Sequence, residues 1–309
     1  GAPPPPGKEV AFGNGAGVVT VWALGDSRPI SSTLPAGQGA VQKLAFSADG
    51  AKLAAAWQKG GPTVWTISDL TAPGSLTIPT SYTSVTALAL NPNGRWLALG
   101  AQQGLQLSAL GQPGETIFLP LGSGRVASVI AFSPDNRWLA VAGDMQRKND
   151  RAEENRSPTT PSSFIWLWRL GADGRPVAPE RPVVLSGQNG PVTALAFGPK
   201  GDLLGSGSAD NTVRLWDLRT NPVGQQPRLV LTDHRNALRS LAFSQDGRWL
   251  ATVDATPALL LWDLQSDELT LDVNRLVAAA CRATDCGGAK EPPTSPSSGE
   301  PTYCGTCGR

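Results

Sequence analysis

Val192 to Leu218 reads VTALAFGPKGDLLGSGSADNTVRLWDL, three apolar runs parted by two polar turns. The first run, VTALAF, is apolar almost throughout, as a strand covered on both faces should be. Lys200-Gly201 follows, and glycine supplies the positive φ that a tight hairpin turn needs. A second run then leads to a polar turn at Asp210-Asn211, and a third ends on Trp216-Asp217-Leu218. Short strands joined by such turns form antiparallel hairpins.

Working outward, the same pattern returns. It begins at Val41 (VQKLAFSADGAKLAAAWQKGGPTVWTI), Val85 (VTALALNPNGRWLALGAQQGLQLSAL), Val126 (VASVIAFSPDNRWLA) and Leu238 (LRSLAFSQDGRWLATVDATPALLLWDL). The five starts are spaced by 44, 41, 66 and 46 residues. The first turns carry Asp49-Gly50, Asn93-Gly94, Lys200-Gly201 and Asp246-Gly247. A weaker fourth strand links one repeat to the next, as in PVVLSG at 182–187 and PRLVLT at 227–232. A period near 40–45 residues with four strands per unit predicts an all-β propeller. A sixth, partial unit opens the chain. Val10 stands where Leu204 stands in its repeat and Trp22 where Trp216 does, but the first strand is missing and GAPPPPG precedes it. The expectation is about six blades, the first incomplete, with an edge left bare.

These residues resemble the WD-repeat family. Trp216-Asp217 and Trp262-Asp263 are the literal dipeptide, and Trp22, Trp65 and Trp168 hold the same place before Ala, Thr and Arg. The resemblance implies a buried hydrogen-bond network of His, Ser or Thr, Trp and a turn Asp. Asp210, Ser206 or Ser208, and Trp216 supply three members; His234 is the lone candidate histidine, and Gln188 stands in its place one repeat earlier. Trp22, Trp65, Trp168, Trp216, Trp262, Asp210 and His234 are therefore read as structural. The domain reading is a Pro-rich segment at 1–7, a propeller at 8–273, and a C-terminal helix and tail at 274–309.

Composition narrows the function. The chain of 309 residues carries 26 basic against 25 acidic side chains, which argues against a nucleic-acid binder relying on a broad basic surface. No run approaches the ~18 apolar residues of a membrane span. With one histidine, His234, the materials for general acid–base or metal chemistry are few. GNGAG at 13–17 lacks both the P-loop and the dinucleotide spacing and reads as a hairpin turn. The recurring Arg95-Trp96, Arg137-Trp138 and Arg248-Trp249 steps follow the first turn of each repeat, so they read as blade architecture rather than as a stacking surface.

Two segments stand outside the repeat. From second strand to Trp position the distance is 12 residues in four repeats and 11 at Leu97–Ser108, but 29 from Leu139 to Trp168. The insertion, GDMQRKNDRAEENRSPTTPSSF, is too polar to fold by itself. Two readings stand: a solvated loop, or a partner contact through Arg147, Lys148, Arg151, Glu153, Glu154 and Arg156. The resemblance places that turn on the narrow face, beside the channel. In the tail, Asn274 can cap a helix over about 274–285 with Leu276, Val277 and Ala280 on one side. Cys281, Cys286, Cys304 and Cys307, all in the last 29 residues, suit zinc, one or two disulfides, or free thiols. Ala280-Cys281-Arg282, Gly299-Glu300-Pro301, Tyr303 and Thr306-Cys307 resemble the tail of bacterial multidomain WD-repeat proteins. That resemblance pairs Cys281 with Cys307 and implies an upstream effector domain.

The expected function is a protein- or peptide-binding sensor in a larger cytoplasmic signalling or defence protein, with no cofactor and no catalysis. The competing expectation is a propeller enzyme of the lactonase or glycosidase kind.

Overall fold

A computed structural model describes residues 9–23, 30–34, 37–68, 73–82, 84–102, 104–111, 115–122, 124–145, 163–220, 223–256, 259–265 and 270–272. These form six antiparallel sheets and no helix. Blade 1 holds β1 (Glu9–Gly13), β2 (Val19–Ala23) and β3 (Ile30–Leu34). Blade 2 holds β4 (Gln38–Phe46), β5 (Lys52–Lys59), β6 (Thr63–Thr66) and β7 (Gly74–Thr77). Blade 3 comprises β8 (Val85–Leu90), β9 (Trp96–Ala101), β10 (Gly104–Ala109) and β11 (Thr116–Leu119). Blade 4 comprises β12 (Arg125–Phe132), β13 (Trp138–Met145), β14 (Ser163–Arg169) and β15 (Val183–Leu185). Blade 5 comprises β16 (Val192–Phe197), β17 (Leu203–Ser208), β18 (Val213–Asp217) and β19 (Leu229–Leu231). Blade 6 comprises β20 (Leu238–Phe243), β21 (Trp249–Asp254), β22 (Leu259–Asp263) and β23 (Thr270–Asp272). Successive first strands β4, β8, β12, β16 and β20 pack beside one another, the arrangement of a β-propeller. No helix among the described residues is long and apolar enough to cross a membrane.

The turns do what their residues require. Gly50, Gly94, Gly201 and Gly247 all take positive φ at the first turn of their blades, and in blade 4 Asn136 takes that role at φ 58°. Each first strand also carries a β-bulge, as between Val85 and Ala87, Ala127 and Val129, Val192 and Ala194, and Leu238 and Ser240. In the GNGAG stretch the Asn14 side chain accepts hydrogen bonds from the Ala16 and Val18 amides and closes the β1–β2 hairpin.

Alternation along the second and third strands builds one apolar core per seam. In blade 4, Leu139, Val141 and Trp168 face Leu105 and Leu107 of blade 3, whereas Ala140, Ala142 and Leu167 face Leu204 and Trp216 of blade 5. Both faces are thus covered, which is why these strands read as unbroken apolar runs. Val213 and Leu215 meet Leu250 and Trp262 in the next seam in the same way.

Among the described residues β1 pairs with β2 alone, so the blade 1 sheet has three strands. One expectation is corrected here. Trp22 holds the sequence position of the buried tryptophans, yet it is 42% exposed, with Val10 and Phe12 beside it. Ala11 and Val21 turn toward blade 2, so Trp22 faces the other way, where no described blade covers it.

The insertion at 146–162 and the tail from 273 onward lie outside the described residues. So do Arg147, Lys148, Arg151, Glu153, Glu154, Arg156 and the four cysteines.

Candidate functional site

The polar side chains of the repeats are engaged inside the blades. In blade 6 the Trp262 indole N–H donates to Thr252 Oγ1 at 2.7 Å. His234 Nε2 lies 2.6 Å from the same hydroxyl, and Nδ1 lies 3.2 Å from Asp254 Oδ2. One proton arrangement satisfies every group: the Thr252 O–H donates to Nε2, and Nδ1–H donates to the carboxylate. The Thr256 hydroxyl and amide also donate to Asp254, and they, opposed by burial and aided by His234, hold its pKa below the usual carboxylate value. The chain's single histidine is buried with both nitrogens occupied, so it has no face to offer a substrate.

Blade 5 builds a variant. Trp216 Nε1 and Gln188 Nε2 both donate to Ser206 Oγ, at 2.9 and 2.6 Å. Gln188 Oε1 is left buried without a partner, because an amide donates where an imidazole nitrogen would accept. Asp210 accepts from the Asn189 amide, Thr212 and Arg214. Burial alone would raise its pKa, but these donors outweigh it and the value falls. In blade 2, Ala55 stands where Ser206 stands, and Trp65 Nε1 is buried without a partner. In blade 4, Val141 occupies that place and Trp168 Nε1 turns instead to Pro179 O at 3.0 Å.

Of the residues singled out in the sequence, Trp65, Trp168, Trp216 and Trp262 are all at most 1% exposed. Asp210 and His234 join separate networks. Gln188, Ser206, Thr252 and Asp254 complete those networks. Asp254 is found only in the structure, because it stands eight residues before its tryptophan, whereas Asp210 stands six before Trp216.

A cleft of about 540 Å³ opens to solvent between blades 4 and 5. It forms because these blades carry the longest third-to-fourth-strand connections, residues 170–182 and 218–228, against 67–73, 110–115 and 264–269 elsewhere. Trp138, Leu167, Val183, Leu218 and Val223 make its apolar floor, and Val177 on its wall is 65% exposed. Arg137, Arg169, Arg181 and Arg219 ring it, with Asp202 the single lining carboxylate.

The blade 4 wall is anchored. Leu170 bridges Pro176, the Val177 amide donates to Arg169 O at 2.9 Å, and the Arg181 amide donates to Ala178 O at 3.1 Å. The bend at Gly174 sits on blade 3, where Trp96 Nε1 donates to Asp173 O at 2.8 Å. Gly174 has φ 82°, and a Cβ there would lie 2.8 Å from the Trp96 ring, so only glycine fits. Arg175 reaches Glu115 of blade 3 in an ion pair.

The four guanidiniums are not equivalent. Arg137 pairs with Asp135 at 2.5 Å and Arg219 with Asp217 at 2.5 Å. The Arg219 hydrogen bonds pull the Asp217 pKa down to about 2. Burial works to raise Asp135, and hydrogen bonds from Ser133 and Arg137 bring it below the usual value. Arg169 and Arg181 form no ion pair among the described residues. The cleft therefore offers two uncommitted cations over an apolar floor, a binding chemistry rather than a nucleophilic one. No three His, Cys, Asp or Glu side chains gather as a metal site among the described residues.

Trp138 pairs with Arg169 at this end of β13 and β14, while Asp144 pairs with Ser163 at the other. At about 3.3 Å per residue the cleft and the root of the 146–162 insertion are ~20 Å apart. They belong to opposite faces.

Comparison with known proteins agrees with this architecture. Residues 180–217 and 225–263 match the WD domain, G-beta repeat. These segments take in the first three strands of blades 5 and 6 and, with them, the Ser206- and Thr252-centred networks. Over 123 residues the chain is 25% identical to transcription initiation factor TFIID subunit 5 of Arabidopsis thaliana, covering 40% of this chain and 15% of that protein. Over 89 residues it is 32% identical to nuclear distribution protein PAC1 of Coccidioides posadasii (strain C735), covering 27% of this chain and 19% of that protein. The matches thus span under a fifth of each relative's length.

Proposed function

Since the chain is a WD-repeat β-propeller protein, we propose that it serves as a scaffold that binds a protein or peptide partner and performs no chemistry of its own. The observation that carries this reading is the anchored cleft between blades 4 and 5. Rigid, partly apolar and lined by uncommitted cations, it is preorganised for binding, while the one histidine is consumed as a structural tie. The resemblance of the tail to bacterial multidomain proteins supports a place as the sensor of a larger cytoplasmic signalling or defence protein.

Hydrogen exchange on the full chain with its captured partner tests the reading. Protection gathered on one propeller face, at connections 170–182 and 218–228, is the expected result. Turnover of esters or glycosides with added metal ions would overturn it.

A further inference from the structure

We propose that the cleft between blades 4 and 5 takes an extended acidic segment of a partner protein, its carboxylates held by Arg169 and Arg181 and an apolar side chain seated against Trp138 and Val177. This deepens the scaffold reading and rests on it.

Charge complementarity points to the acid. The chain as a whole has a formal net charge of +1, so the ring of four arginines around one aspartate is local. Arg137 and Arg219 are already paired, which leaves Arg169 and Arg181 to seek carboxylates from elsewhere. Guanidinium matches a carboxylate with two parallel hydrogen bonds. The backbone of both residues is held, Arg169 O by the Val177 amide and the Arg181 amide by Ala178 O, so the two side chains leave from fixed points.

The apolar part follows from the floor. A solvent-facing Val177 beside half-buried Trp138 and Val183 is poorly suited to water and well suited to a side chain laid over it. The volume falls within the ~300–1,000 Å³ of pockets that hold small ligands, which fits a short chain segment rather than a folded domain.

The adjoining seam supplies a contrast. The smaller cavity between blades 5 and 6, about 250 Å³, shares Asp202 and Arg219 with the cleft. There Lys200, Arg219 and Arg228 face Asp202, Asp217 and Asp246, so its charges balance. Of these two cavities, only the one between blades 4 and 5 carries an excess of cations. A nucleic-acid strand needs cations that track successive phosphates, and the balanced neighbour interrupts such a track.

The test uses the full chain and a labelled peptide alternating glutamate with leucine. Its companions are the same peptide with glutamine for glutamate, and labelled oligothymidine. Anisotropy should show the acidic peptide binding, with affinity falling as salt rises. The glutamine peptide, and the Arg169→Glu/Arg181→Glu variant with the acidic peptide, should each lose about tenfold or more, as charge-assisted contacts do. Arg95→Glu, a single reversal of the same kind on an exposed residue outside the cleft, should lose little. Arg169→Gln/Arg181→Gln should bind weakly while keeping the wild-type unfolding midpoint. Failure of the wild type to bind the acidic peptide, equal binding of the glutamine peptide, or tighter binding of oligothymidine would each overturn the assignment. If the double charge reversal still captures the cellular partner at full strength, the scaffold reading stands and the cleft assignment falls.

Discussion

Replacing Thr252 with valine changes shape least and removes one hydroxyl from the middle of the blade 6 chain. That oxygen accepts from Trp262 Nε1 at 2.7 Å and meets His234 Nε2 at 2.6 Å. Thr252 is fully buried, and Trp262 and His234 are 1% and 4% exposed. Water therefore cannot reach the groups left behind. Each orphaned buried group costs about 1–3 kcal/mol. The methyl that replaces the hydroxyl returns about 1 kcal/mol of apolar transfer. The expected net loss is about 1–5 kcal/mol, read as a shift in the urea midpoint at constant m. A cycle with Trp262→Phe sharpens it. Phenylalanine has no N–H to orphan, so Thr252→Val should cost about 1–2 kcal/mol less in that background. A loss under about 0.5 kcal/mol, the ordinary range of neutral surface changes, or no coupling in the cycle, would refute the network.

Three further outcomes are expected. Trp216→Ala should destabilise by about 3–5 kcal/mol, as large buried aromatics do, while Trp22→Ala, at an exposed position, should cost under about 1 kcal/mol; the contrast is read from paired urea melts. Ala55→Ser should stabilise by about 1 kcal/mol by giving the orphaned Trp65 indole the acceptor that Ser206 gives Trp216, and a destabilised variant would show that the seam lacks room. Asp210 and Asp254 are both held below the ordinary carboxylate value of 3.8, so their contribution should be full above about pH 4 and vanish as pH falls through the lowered values; Asp254→Asn should be less stable at neutral pH and lose less on acidification.

Much of the architecture was legible along the chain because its causes are local. A glycine or asparagine after the first strand imposes the turn, and an unbroken apolar run reports a strand covered on both faces. The constant distance from second strand to tryptophan sets which residues pair, and Leu204↔Trp216 and Leu250↔Trp262 follow it. The network was only partly legible. The repeat names Asp210, Trp216 and a serine at 206 or 208, with Gln188 in the histidine's place; the structure selects Ser206 for the Trp216 indole, and Asp254 stands at a spacing that the pattern does not mark. Trp22 repeats the pattern of its fellows and still lies exposed, since burial of that residue depends on a neighbouring blade and not on its own.

By itself the sequence determined the strands, their turns and their grouping into four-stranded units, because backbone φ, side-chain alternation and turn chemistry act over a few residues. Only the tertiary structure decided which indoles keep an acceptor, which tryptophan is left uncovered, and that Arg137, Arg169, Arg181 and Arg219 ring a single cleft. Those arginines are scattered over 83 residues of chain. They converge because blades 4 and 5 share a seam and two long connections wall it, and such proximity across a seam leaves no periodic trace in the sequence.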